Sequence, residues 1–220
     1  MARISRRSAT GAGISERTRA SDVPESLPQI YLARHGETAW SVSGQHTGRT
    51  DLPLTAQGEQ NARRLGERLA GLQPARVVTS PLERARRTCE LAAFGPVASI
   101  DPDLVEWDYG AYEGKTPAEI RRERPGWEIF RDGCPGGESL AQVTARADRI
   151  VARLRAIGAN VLVFSSGHLL RVLGARWLGL DGALGRYFFL DTAALSILGY
   201  QRDLTEPVIR LWNDCGHLAR

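Results

Sequence analysis

Apolar and polar positions along the chain switch between two periods, and the switches mark its elements. Gln29-Ile30-Tyr31-Leu32-Ala33 is a short, β-prone apolar run, which predicts a buried strand. Trp40, Gly44 and Gly48 follow with no helical period, so this stretch reads as a loop. The period then changes. Ala62, Leu65 and Leu69 make a helical stripe that ends at Gly71, with Thr55 placed to cap it and Gly58 and Glu59 in its first turn. Residues 76–80 read as a second strand. Pro81, after Ser80, opens a helix to about Phe94, and 97–100 is a third strand. Residues 101–115 form a loop dense in acids, aromatics and glycine. Residues 116–124 read as a short helix stopped by Pro125-Gly126, and 132–137 as a second loop. Ser139 and Gln142 have capping-box spacing before a long helix to Ile157. Residues 160–164 are the most apolar strand, 169–178 an apolar helix, and 194–200 and 208–212 late strands. Strands alternating with helices predict an α/β fold with a largely parallel sheet. No repeat or linker divides the body.

Composition narrows the function. The 220 residues suffice for one domain with a full core, and a 42% hydrophobic and 25% charged share is that of a soluble globular protein. No apolar run reaches the length of a membrane span, so no membrane partner is expected. Residues 1–26 carry Arg3, Arg6, Arg7, Arg17 and Arg19 but no apolar stripe and no secretory h-region. Glu16, Asp22 and Glu25 weigh against a transit peptide, so 1–26 reads as a disordered tail before a domain at 27–220. The net charge of +4 is almost all arginine, Lys115 being the only lysine. Outside the tail the arginines are not blocked into one run. An anionic small substrate explains them better than nucleic acid, which is not expected as a partner. Cys89, Cys134 and Cys215 are odd in number and lack C-x-x-C spacing, against a disulfide framework or a thiolate metal site. A reducing, cytoplasmic setting follows.

Four clusters carry candidate chemistry. Arg34-His35-Gly36-Glu37-Thr38 stands where the first strand ends, the place where ligands bind in open α/β sheets. Arginine offers a planar fork of donors for a phosphoryl group, and a neutral histidine nitrogen can attack phosphorus. The segment from Ser80 to Thr88 follows the second strand. A helix N-terminus there favours an anion, with Arg84 in the first turn. In the acidic loop Glu106 lies among Leu104, Val105 and Trp107, an apolar setting that favours the protonated form a general acid needs. The residues alone leave Asp108 and Glu113 open as alternatives. Ser165-Ser166-Gly167-His168 ends the most apolar strand and opens a helix, another corner suited to an anion.

Together and in this order, the four clusters resemble the histidine phosphatase superfamily, in the branch that includes cofactor-dependent phosphoglycerate mutase. The resemblance covers roughly residues 29–213. It implies a three-layer α/β/α sandwich, phosphoglycerate mutase-like, with the site above the sheet's C-terminal edge. It further implies that His35 takes the phosphoryl group, that Arg34 and Arg84 bind it, and that Glu106 protonates the leaving group. Ser43-Gly44-Gln45, Thr47-Gly48, Thr50 to Thr55, Glu106 to Gly110 and Asp132-Gly133-Cys134 are similar to the fungal-type sedoheptulose-1,7-bisphosphatases. Thr47 and Gly48 match positions that touch substrate in the mutases. Ser41 stands where the mutases have asparagine, and their long insert after the acidic loop is absent, which favours a hydrolase.

One departure stands out. The family has His-Gly where this chain has Ser166-Gly167, with His168 two places on. Ser166, Gly167 and His168 are therefore candidate substrate contacts, with Ser166 a single uncharged donor and His168 a substitute that could swing in. Losing one preorganised donor costs ~10²–10³ in rate. The expectation is a phosphomonoesterase acting on small sugar phosphates or phospho-acids through phosphohistidine, with no metal and no cofactor. The alternatives are a mutase-type phosphotransferase and a weakly active phosphate-ester-binding protein. A homo-oligomer is compatible with the sequence.

Overall fold

The structure is a computed structural model and describes residues 27–218. The expected tail at 1–26 lies outside the described residues. The strands are β1 (Ile30–Arg34), β2 (Arg76–Thr79), β3 (Ala98–Ile100), β4 (Val161–Ser165), β5 (Leu195–Tyr200) and β6 (Pro207–Asp214). The helices are α1 (Ala39–Ser43), α2 (Ala56–Arg68), α3 (Glu83–Leu91), α4 (Pro117–Glu123), α5 (Ile129–Asp132), α6 (Leu140–Ile157) and α7 (Gly167–Trp177).

β4 is buried at every position, which fits its unbroken apolar run and its place in the middle of the sheet. The strand order is β3-β2-β4-β1-β5-β6. The first four strands pair in parallel, while β5 and β6 add an antiparallel flank. Alternate side chains feed two cores, as a pleat requires. Ile30, Leu32, Val161 and Val163 pack with Val143, Ala147, Ile150, Leu169 and Leu173 of α6 and α7. Ala33, Leu162 and Phe164 pack on the other face with Leu65 of α2 and Cys89 of α3. The result is the expected three-layer sandwich. Fully burying each large aliphatic or aromatic side chain contributes roughly 1.5–3 kcal/mol. Leu162→Ala would remove one from the centre of a face, at about 2–5 kcal/mol.

Local signals set the helix ends. Ser139 and Gln142 form the reciprocal capping box at α6, and Gly158 ends that helix at φ 64°. Thr55 caps α2 through a 3.0 Å bond from Gly58 N. Three expectations need correction. Residues 39–43 are helical, not loop. Thr38 and Ser41 make a capping box and Gly44 closes the turn at φ 75°, but five residues are too few to show a period. α3 starts at Glu83 rather than Pro81, and its cap position, Leu82, donates no side chain. α5 falls in a stretch with no element expected, because one helical turn leaves no stripe.

Candidate active site

The chain leaves β1 toward β2 on one face of the sheet and leaves β4 toward β5 on the other. The carboxyl ends of β1 and β4 therefore diverge, which opens a crevice between neighbouring strands. The register places Arg34 opposite Ser165, and His35 N–H donates to Ser165 O at 2.9 Å. The first and third sequence clusters thus meet. Ser80 N–H donates to Phe164 O at 2.9 Å, which brings in the second cluster. Ser165 Oγ donates to Leu104 O at 2.7 Å and ties down the acidic loop.

His35 is 4% exposed. Its Nδ1 lies 2.7 Å from Gly36 O. A carbonyl only accepts, so Nδ1 carries the hydrogen and Nε2 the lone pair. Burial, then Arg84, then Arg34 push the imidazole pKa well below its ordinary value, against the pull of the Gly36 bond. The ring is thus a neutral base with a free nitrogen. Arg34 anchors Nη1 on Leu190 O at 2.5 Å. Its guanidinium lies against Gly167, where a Cβ would come within 3.2 Å of Cζ. Arg84 is fully buried and spends Nη1 on Thr50 O at 3.0 Å and Nη2 on Thr47 O and Gly48 O at 3.0 and 2.8 Å. Arg34 Nε, Arg84 Nε and Ser166 Oγ are buried polar atoms with no partner.

Both helix starts suited to an anion already hold one. Asp51 Oδ1 accepts from Glu83 N at 2.8 Å at the start of α3. At α7, Glu106 Oε2 accepts from His168 N at 3.0 Å and Oε1 from Leu169 N at 2.8 Å. Trp107 N also donates to Oε1, at 2.9 Å. The apolar surroundings expected of Glu106 are present, since Leu104 and Trp107 are fully buried, but three backbone donors meet its oxygens. Asp108 pairs with Arg49 at 3.1 Å, and Glu113 Oε1 accepts from Gly48 N and Thr50 N at 2.8 and 3.0 Å. Of the three acids only Glu106 lines the cavity beside His35.

That cavity has a volume of about 470 Å³. Arg34, His35, Thr47, Glu106, Gly167 and His168 line it, whereas Gly48, Arg84 and Ser166 are buried and do not. Gly48 is packed so closely that a Cβ would fall 2.6 Å from Trp107 O. His168 does not hang free to swing: its Nδ1 and Tyr109 Oη are 2.6 Å apart, and its ring meets Tyr109, Trp107 and Phe130.

Several lining or supporting residues escaped the sequence analysis. Arg121, Arg171 and Arg186 give the outer wall three cations, against one carboxylate, Glu128. Tyr109 stands in the acidic loop and Arg171 in the apolar helix read at 169–178, but nothing in their spacing marks them. Arg146 does carry a signal: an arginine on the apolar stripe of α6. It grips Asp103 O and Val105 O at 2.8 and 2.5 Å and Glu138 at 2.6 Å, which holds the Glu106 segment in place. Among the described residues, no group of three or more His, Cys, Asp or Glu is arranged to hold a metal ion, and no helix is long and apolar enough to cross a membrane.

Comparison with known proteins bears on this geometry. An acid phosphatase from Mycobacterium tuberculosis is 40% identical over 185 residues, covering 82% of this chain and 91% of that protein. The sedoheptulose 1,7-bisphosphatase of Saccharomyces cerevisiae is 38% identical over 192 residues, covering 72% and 70%. The solved structure of open reading frame Rv3214 from Mycobacterium tuberculosis superposes with a TM-score of 0.80 at 39% identity, covering 84% of this chain and 97% of that one. The family profile of the histidine phosphatase superfamily (branch 1) matches residues 30–215, and the chain belongs to that superfamily.

Proposed function

We propose that the protein hydrolyses monoesters of small phosphorylated metabolites through a phosphohistidine on His35. The observation that carries this reading is His35 itself: neutral, with Nε2 free, and under the charge of two arginines, half-buried Arg34 and fully buried Arg84, that each keep a buried, unpartnered Nε. Buried donors without partners call for an occupant, and a phosphoryl group supplies acceptors of the right charge.

The chemistry follows from these atoms. His35 Nε2 attacks phosphorus in line as the ester P–O bond breaks. Arg34 and Arg84 neutralise the equatorial oxygens, so the arginines supply the positive charge that a metal supplies elsewhere. Gly36 O, facing Nδ1–H, stabilises the positive charge that the ring gains on forming the P–N bond. Phosphate monoesters have their second ionisation near about pH 6, so a monoanionic ester brings one proton. Glu106, held by its three backbone donors, relays that proton to the leaving oxygen. It then takes a proton from water as water attacks phosphorus and the P–N bond breaks. The arginines of the outer wall suit leaving groups that are themselves acidic or phosphorylated, which agrees with the sugar bisphosphatase among the relatives.

A turnover screen over p-nitrophenyl phosphate, sugar phosphates and phospho-acids, with chelator present, tests the reading. Steady phosphate release supports it. Isomerised product with retained phosphate would indicate a transferase instead. Tight binding without release would indicate a binding protein limited by Ser166.

A further inference from the structure

His46 has no part in the chemistry above, yet it lines the same cavity. Its side chain is 7% exposed, and its Nε2 is buried with no partner. The ring is held on several sides. It stacks on Tyr109 at 4.5 Å and 28°, meets Trp127 edge-on at 5.6 Å, and lies 5.9 Å from the His168 ring. Tyr109 is in turn bonded to His168. The backbone of His46 is clamped as well, N–H to Lys115 O at 3.0 Å and O from Gly114 N at 2.9 Å. A rigid ring in a cavity wall, with a polar atom left unsatisfied, is preorganised for a ligand atom.

Its neighbours say which part of the ligand. Burial and then Arg121 push the His46 pKa down to about 4, whereas Arg84 and Arg34 are the charges that weigh on His35. His46 is thus neutral, and it packs on Tyr109 and Trp127 in a cavity wall that also carries Arg121. A neutral imidazole nitrogen pairs well with a hydroxyl, which donates and accepts. Tyr109 and Trp127 line the cavity beside it and give that wall an apolar character suited to the C–H face of a carbon chain that carries such hydroxyls.

We propose that His46 is a specificity residue: its Nε2 pairs with a hydroxyl of the alcohol from which phosphate is removed, so the preferred substrates are polyhydroxylated, sugar-like phosphate esters. The proposal rests on the phosphatase reading and names its substrate class.

The test compares sorbitol 6-phosphate with n-hexyl phosphate, the same carbon chain and ester with and without hydroxyls, and uses p-nitrophenyl phosphate as a reference. Wild-type enzyme, His46→Phe and His46→Gln are measured. The phenylalanine keeps the stacked ring and removes both nitrogens, and the glutamine returns a polar amide. Wild type is expected to favour sorbitol 6-phosphate over hexyl phosphate by ~10–100-fold in kcat/KM. His46→Phe is expected to lose ~10-fold or more of that preference, mainly through KM, with p-nitrophenyl phosphate changed less than ~3-fold; His46→Gln should keep most of it. A ratio taken within one protein does not depend on how much of it is folded. An unchanged ratio in His46→Phe, or equal losses in both variants, overturns the assignment while leaving the phosphatase reading intact. If neither variant folds, the wild-type ratio decides, and no preference for the polyol overturns the proposal. No turnover of any ester by wild type overturns the phosphatase reading, and the proposal with it.

Discussion

The inner half of the cavity is built from strand ends and helix starts, the outer half from the segments that connect them. Arg34 and His35 sit at the end of β1, Ser166 and Gly167 at the turn from β4 into α7, and Glu106 is fixed by the first N–H groups of α7. Moving Arg34, His35, Ser166 or Gly167 means moving the edge of the sheet. His46, Tyr109, Arg121 and Trp127 come instead from loops and from the short helix α4, and meet mainly through ring contacts. On the proposed reading, transfer chemistry and substrate choice then rest on separate parts of the fold. The outer wall can change without disturbing the atoms that hold phosphorus.

Substitutions in each half should therefore fail in different ways. The largest effect is expected for His35→Ala, which removes the nucleophile and should lower kcat by ~10⁴-fold or more for every ester, whatever its alcohol. Steady-state assays over several esters check this. A loss confined to one substrate would mean that His35 belongs with the specificity residues.

Glu106→Gln comes next. It keeps the shape but cannot relay a proton, so alkyl phosphates should slow by ~10²–10⁴-fold, and p-nitrophenyl phosphate, whose leaving group needs little protonation, far less. Equal losses on both substrates would remove Glu106 from the proton path.

Ser166→His sharpens the inner half. It adds a donor where Oγ is buried and unpartnered, and turnover should rise by up to ~10²-fold if the new ring finds room. The larger side chain at a fully buried position should also cost stability, about 1–3 kcal/mol, readable as a lower melting temperature. An unchanged rate with an unchanged melting temperature would show that position 166 does not face the phosphoryl group.

In the outer half, Arg121→Ala should raise KM only ~3–10-fold, for substrates with a second anionic group, at nearly constant kcat. A fall in kcat would break the separation of the two halves.

Acid should weaken the whole site. Burial depresses the pKa of His35, His46 and His168 in the folded state. Below their unfolded value of about 6.5 the unfolded chain binds protons that the folded chain refuses. Their contribution to stability is thus complete above about pH 6.5 and is lost as pH falls toward the folded values, which for His46 is about 4. Melting temperatures between pH 7.5 and 4.5 should fall on the acid side, and less steeply in His46→Phe than in wild type.

The two halves also differ in how far the sequence reveals them. Arg34 and His35 are consecutive and follow a run that can only be a buried strand, so both the residues and their place at the sheet edge are legible. The register of β1 on β4 then brings Ser166 and Gly167 to them. Glu106 could not be told from Asp108 or Glu113, because what separates them is contact with α7, 62 and 63 residues away in sequence. His46 lies in a short loop, and its neighbours Tyr109, Trp127 and Arg121 come from three other segments. No spacing along the chain records that meeting. Arg146 was legible in principle, since a charge on an apolar helical stripe needs a buried partner, and the carbonyls of the Glu106 segment are that partner. The antiparallel flank of β5 and β6 was hidden because strand direction leaves no period in sequence.

The most direct test of the central claim is the covalent state of His35. The purified protein is mixed briefly with a substrate in single turnover, quenched in base, digested and mapped for phosphate. The account predicts an acid-labile, base-stable phosphoryl group on the peptide carrying His35, formed and lost at rates that match turnover and missing from His35→Ala. Turnover with no such intermediate, or a phosphoryl group that persists in His35→Ala, would contradict it.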